Sequence, residues 1–348
     1  MKKNNQIFAN TKFIWYNIVM KNKHLTILDA GIAFVVAFIL AQFIGAIGVS
    51  LTESILDAMG KTATQIEAFW NTALGYLFNA IFMNIAFVLV FVYYYRRMKK
   101  SDVFTRPNQN TLKYFGICII IGISTLYLLS GVLNYFQLLV DKLDLGSGSL
   151  MYELNSPKTY LISLVSLALI PAICEELIFR GVLVNCLKQK GEIFAIVLSS
   201  IMFSIFHFSL YQLIYPICFG LILAIVYLRT KNIIFPILLH FINNALSLSI
   251  QYFSNSDSST VFTHSATMLM LAIITFAIWI LIMRWLFKDF RAYKQKNTDI
   301  DNQKLDQQST STQSNISPQQ VRNEKFDKWV LYGSIAIMLC IYLLITFM

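Results

Sequence analysis

Three short sets of residues carry side chains able to do chemistry: Glu175 and Glu176 with Arg180, Phe203 with His207, and His240 with Asn244. Each interrupts a run that is otherwise apolar. The Glu pair stands in Ala172-Ile173-Cys174-Glu175-Glu176-Leu177-Ile178-Phe179-Arg180. An ionised side chain in hydrocarbon costs several kcal/mol, about 2.5–3.5 on insertion scales, so packing does not explain it. An ionisable residue inside a membrane span reads by default as part of a functional site. The competing reading is a structural ion pair, because Glu176 and Arg180 are spaced i, i+4 and share a helix face. That pair uses one carboxylate and leaves Glu175 over. Phe203/His207 and His240/Asn244 have the same spacing and each share a face. The chain has four histidines, and these two fall inside apolar stretches. A lone histidine on an apolar face is usually a satisfied structural residue. Two of them, with two carboxylates and an Asn on neighbouring helices, weaken that reading.

The chemistry such a set permits is hydrolysis. A carboxylate in a low-dielectric cavity holds a proton more readily than in water and can take one from a water molecule. A neighbouring histidine can orient and help deprotonate that water. A second histidine with an Asn amide can donate hydrogen bonds to a developing oxyanion. Arg180 can hold Glu176 ionised. No G-x-S-x-G occurs and no Ser-His-Asp arrangement is evident.

The elements that must position these residues are membrane helices. Of 348 residues, 57% are hydrophobic and 13% charged, against about 25% charged in soluble domains. Mean hydropathy is +0.61. The expected fold is all-α, a polytopic transmembrane helix bundle of about nine spans, with a catalytic sub-bundle in spans four to seven. By the rule of about 20 apolar residues per crossing, the spans are 27–51, 74–95, 114–140, one starting near 160 and carrying the Glu pair, 194–208, 213–228, 233–250, 268–287 and 329–348. At 1.5 Å per residue, Glu175 and His207 lie roughly 20 Å from the cytoplasmic ends of their helices and His240 roughly 13 Å. One cavity can therefore hold all three.

The expected organisation is a cytoplasmic lead over 1–26, three spans over 27–158, a catalytic core over 159–252, an eighth span over 253–290, a polar linker over 291–327 and a last span over 328–348. The linker is rich in Gln, Ser, Thr, Asn and Asp and cannot bury a core. The Lys-rich lead precedes an apolar run too long for a signal-peptide core. The net charge of +10 gathers in short loops, with Lys2, Lys3, Arg96, Arg97, Lys188 and Lys231 among the cations. That is the positive-inside pattern, and it places the N-terminus in the cytoplasm and the C-terminus, after nine spans, outside the cell membrane. It is not the basic stripe of a nucleic-acid-binding domain, so no nucleic acid is expected as partner. The five cysteines, Cys118, Cys174, Cys186, Cys218 and Cys340, form no C-x-x-C and read as small buried hydrophobes.

Glu175-Glu176-x-x-x-Arg180, Phe203-x-x-x-His207 and His240-x-x-x-Asn244 resemble, in that order, the three motifs of the CPBP family of intramembrane proteases, also called the Abi or CAAX-protease and bacteriocin-processing family. The resemblance covers roughly 160–250. It implies that Glu175 and His207 activate a water, that His240 and Asn244 stabilise the oxyanion, and that Glu176 and Arg180 support them. It implies an endopeptidase acting on a hydrophobic or membrane-associated peptide, such as a bacteriocin or pheromone precursor, or serving in self-immunity. No cofactor is expected; the alternative is a zinc ion on Glu175, His207 and His240, because three protein ligands plus water is the usual catalytic zinc pattern. H-E-x-x-H is absent. Two other functions compete: a non-catalytic scaffold binding a membrane partner such as a sensor kinase, and a proton-coupled transporter. A scaffold needs none of these residues, and the internal repeat common in transporters is not seen. Oligomeric state and substrate are not legible.

Overall fold

The computed structural model of the protein describes residues 25–98, 103–106, 109–142, 154, 156–207, 209 and 213–253, with 270, 273–282, 284, 288, 292 and 331–332 beyond them. The expected N-terminal lead up to residue 24 and nearly all of the polar linker and the ninth span lie outside the described residues. Regular structure among the described residues is helical, apart from one isolated antiparallel bridge between Phe104 and Asn232.

The chain begins with a helical hairpin. Helix α1 (Ile27–Ala58) runs out, a short helix α2 (Ala63–Trp70) turns the chain, and α3 (Ala73–Tyr95) returns. Thr26 starts α1 through a capping box: its hydroxyl accepts from Asp29 N–H and the Asp29 carboxylate accepts from Thr26 N–H at 2.7 Å. The same carboxylate takes both Nη atoms of Arg97, at 2.5 and 3.2 Å, just beyond the end of α3. At the other end of the hairpin, Trp70 Nε1 donates to Glu53. Between these pins the two helices meet on small residues. A Cβ on Gly45 would stand 2.4 Å from Met83 Sδ, and one on Gly48 would strike the Phe82 ring. Close backbone approach on small residues is the usual way helices associate in lipid, where no hydrophobic effect draws them together.

Helix α4 (Gln109–Lys142) follows. The central element is α5 (Pro157–Lys190), which packs on α1, α3, α6, α7 and α8. It is not a uniform α-helix. Leu164–Leu169 and Leu177–Val184 are wound as π-helix, flanking the α-helical turn Ile170–Glu176 that holds the carboxylates. Pro171 gives a local cause for the first: it has no N–H to donate, so the i→i−4 ladder is interrupted there. From Ile178 to Leu187 every residue of α5 is buried. A Cβ on Gly181 would meet the Phe91 ring at 2.8 Å, which is how closely α3 approaches.

Helices α6 (Glu192–Ile205) and α7 (Ile214–Thr230) form a second hairpin, in contact where Gly220 faces Ser200. Lys231, in the left-handed region at φ 50°, ends α7 with its N–H on Tyr227 O, and α8 (Ile234–Phe253) follows.

Among the described residues, four helices are long and apolar enough to cross a membrane: α1, α3, α5 and α8. The expectation of about nine spans is met only in this coarser form. Helices α6 and α7, at 14 and 17 residues, reach about 21 and 26 Å and so fall short of a core about 30 Å thick. Within α4 the apolar stretch is Thr111–Thr125, and of the eighth span Ile273–Ile282 is described as an apolar helix. Four cysteines, Cys118, Cys174, Cys186 and Cys218, are free and buried, in keeping with their reading as small hydrophobes.

Candidate active site

Consecutive residues on a helix point about 100° apart, so the two carboxylates of α5 face different neighbours. Glu176 is fully buried. Its Oε1 accepts from Arg180 Nη1 at 2.7 Å, one turn on, and from His240 Nδ1 of α8 at 2.9 Å. Arg180 is fully buried too, and its other nitrogen, Nη2, donates to the Gly220 carbonyl of α7 at 3.1 Å. One ion pair thus joins three helices. Two charges out of water are tolerable only when geometry and added hydrogen bonds offset their desolvation. Here the bonds from His240 and to Gly220 offset part of it, while Glu176 Oε2 and Arg180 Nε have no hydrogen-bond partner.

Phe203 lies at the centre of the group. The Arg180 guanidinium stands over its ring at 4.8 Å, and the rings of Phe179, His207 and His240 meet it edge-on at 5.0, 4.9 and 5.7 Å. Its role in the F-x-x-x-H pattern is therefore physical: it is the apolar spacer that fixes one arginine and two histidines in relation to one another. Phe219 holds the other side of His240, edge-on at 6.0 Å, and is itself stacked on Tyr215.

Glu175 is placed differently. Its side chain is 19% exposed, and its Oε2 stands 3.9 Å from His240 Nε2, beyond hydrogen-bond distance. It borders a cavity of about 170 Å³ together with His207, Phe206, Phe87 and Asn84. That space admits several water molecules.

His207 lies just past the end of α6, which stops at Ile205, whereas the apolar pattern extends the helix to 208. The difference has a local cause. The last carbonyls of a helix lack intrahelical donors, and His207 Nδ1 bonds the Phe203 carbonyl at 2.9 Å. A carbonyl can only accept, so Nδ1 carries the proton and Nε2 of the neutral ring is left as an acceptor. The same reasoning at His240 puts the proton on Nδ1, toward Glu176, and leaves Nε2 on the side of Glu175.

Glu175, Glu176, Arg180, His207 and His240 are thus brought together. Asn244 is not tied into that group: its Oδ1 is met by Asn243 Nδ2 at 3.5 Å. Asn243 is the more deeply buried of the two and accepts from Tyr215 Oη at 2.5 Å. For the zinc alternative on Glu175, His207 and His240, no group of three or more His, Cys, Asp or Glu among the described residues is arranged to hold a metal ion.

Residues 157–246 match a protein-family model described as type II CAAX prenyl endopeptidase Rce1-like. The resemblance to the CPBP and CAAX-protease family holds. The Rce1-like segment spans the helices from α5 into α8 and contains every motif residue from Glu175 to Asn244. No curated protein and no solved structure matches the chain. The cavity wall is not confined to the Rce1-like segment, because Asn84, Met83 and Phe87 come from α3 and Ala41 from α1. Asn84 carries no motif. The signal for it is only that it is a polar residue in the apolar run of α3. The Glu176–His240 bond joins residues 64 positions apart, and no spacing rule points to it.

Proposed function

We propose that the protein is an intramembrane endopeptidase that cuts a membrane-associated or hydrophobic peptide with a water activated by Glu175 and His207. The observation that carries this reading is that a carboxylate and an imidazole whose Nδ1 is held on the Phe203 carbonyl belong to residues bordering one cavity large enough for water. A water there donates its two protons to Glu175 and to His207 Nε2. Transfer of one proton leaves hydroxide, which attacks the scissile carbonyl carbon. The proton passes to the leaving amine, so that one water becomes the new carboxyl and amino ends.

The developing oxyanion needs donors. His240 Nε2 faces Glu175 while Nδ1 is held by Glu176, and His240 is one donor suggested by the family resemblance. Asn244 is the further donor suggested by the family resemblance, and its amide nitrogen would have to turn toward the cavity. Glu176 and Arg180 position His240 and do not touch the substrate. The distribution of Lys and Arg supports a cell-membrane protein with a cytoplasmic N-terminus. A maturation or immunity role on a peptide such as a bacteriocin or pheromone precursor fits the apolar surroundings of the site.

The test compares cells carrying the wild type with cells carrying Glu175→Ala, profiling membrane and secreted peptides by mass spectrometry. The expected result is a peptide released only by the wild type, with its longer precursor accumulating in the variant. Identical profiles, with the variant still supporting whatever function a deletion loses, would overturn the peptidase reading in favour of a scaffold.

A further inference from the structure

We propose that Asn84 of α3 is a substrate-binding residue: its side-chain carbonyl accepts a hydrogen bond from a backbone N–H of the bound peptide, beside the bond that is cut. The proposal rests on the peptidase reading above and adds to it a residue outside the Rce1-like segment.

Asn84 is 9% exposed and borders the same cavity as Glu175 and His207. Its amide nitrogen donates one of its two N–H groups to the Ala80 carbonyl at 2.8 Å, one turn back on α3. That bond fixes which end of the amide is which and leaves Oδ1 as the free end. Oδ1 is buried and has no hydrogen-bond partner. A buried acceptor without a donor is costly, by about 1–3 kcal/mol, and so calls for a partner that arrives from elsewhere. The only other buried atom of the cavity-lining side chains without one is Glu175 Oε2, among the described residues.

Counting protons shows that the water held by Glu175 and His207 is not the partner. A water in the cavity has two. Glu175 is an acceptor, and so is His207 Nε2, because Nδ1 holds the ring proton against Phe203 O. Those two groups take both water protons. Asn84 is a third acceptor bordering the same cavity; the water between Glu175 and His207 has no proton left for it, and only a further water or a ligand that displaces it can donate to Oδ1. A peptide lying in the cavity with its scissile carbonyl toward the water brings backbone N–H donors, and these would otherwise be buried unsatisfied. The match of one orphan acceptor to one orphan donor favours a segment with an unsubstituted amide at that position. A proline or an N-methylated residue there has no N–H and makes a poor substrate.

The experiment uses the full-length protein in proteoliposomes and a synthetic peptide spanning the cleavage site defined by the Glu175→Ala comparison. A series of that peptide carries one N-methylated amide at each position near the scissile bond. Asn84→Leu is expected to raise KM about tenfold with kcat within about threefold. At one position, N-methylation costs the wild type a similar factor and costs Asn84→Leu nothing further. Asn84→Ala removes the same acceptor without added bulk and serves as the second variant. An unchanged KM, or N-methylation penalties equal in wild type and variant at every position, would overturn the assignment. If Glu175→Ala releases the same peptides as wild type, the peptidase reading itself falls. If Glu175→Ala is inert while Asn84→Leu matches wild type, only the role of Asn84 falls.

Discussion

The two adjacent carboxylates of α5 live in opposite surroundings. Glu176 is fully buried, ion-paired and bonded to a histidine of another helix, and its partner Arg180 reaches a third. Glu175 is partly exposed, has an oxygen with no hydrogen bond, and borders a cavity with His207 and Asn84, whose Oδ1 is also unpartnered. One side of the helix is closed and ion-paired, with Glu176 Oε2 and Arg180 Nε left without hydrogen bonds; the other is open to a cavity. A hundred degrees of rotation is enough to give identical side chains different jobs. The closed side sets the positions, and the open side meets what enters.

The largest effect should come from the open side. Glu175→Gln keeps the shape and removes the base. Loss of a positioned general base costs about 10²–10⁴ in rate, so peptide release should fall by at least a hundredfold. Detergent-extracted yield and monodispersity should stay at wild-type values. Full processing by Glu175→Gln would end the distinction between the two carboxylates.

On the closed side the expected loss is of fold. Arg180→Ala leaves Glu176 charged and buried beside a vacated space, and breaking such a pair costs about 3–5 kcal/mol. The readout is the folded fraction by size-exclusion of detergent-extracted protein, and it should drop sharply. Replacing both partners together, Glu176→Gln with Arg180→Met, should recover much of the yield, because no uncompensated charge remains. The double variant should still be impaired in cleavage, since His240 loses its carboxylate. Restored yield together with full activity would show that Glu176 only balances Arg180.

These surroundings mark where the sequence is readable and where it is not. The ends of α1, α3 and α8 follow from apolar runs and fall within a few residues of the expected limits for at least one terminus of each. The Glu176–Arg180 pair follows from i, i+4 spacing. The bond from Glu176 to His240 does not, because it depends on how α8 lies against α5. The π-wound turns around the Glu pair were equally hidden, although Pro171 marks where one could begin. At the end of α6, apolar residues continue past the last helical turn, and only the side chain of His207 closing on a carbonyl shows where the helix stops. On α8, the same i, i+4 rule selects Asn244, while the structure buries Asn243 against Tyr215.

That last difference supplies the smallest and most discriminating test. Tyr215 touches the site through its stack on Phe219 and its hydroxyl on Asn243. Tyr215→Phe keeps the ring, and with it the packing behind His240, and deletes one hydrogen bond, worth about 0.5–1.5 kcal/mol. Thermal stability of the detergent-extracted protein should fall slightly, and cleavage should stay within a few-fold of wild type. Asn243→Ala should behave alike, because it removes the other half of the same bond. Asn244→Ala carries the opposite expectation: if its amide serves the oxyanion, stability holds and kcat falls by about 10²–10³. Should the two variants exchange these outcomes, the donor is Asn243, the buried neighbour that the spacing passed over, and Tyr215 becomes the residue that aims it.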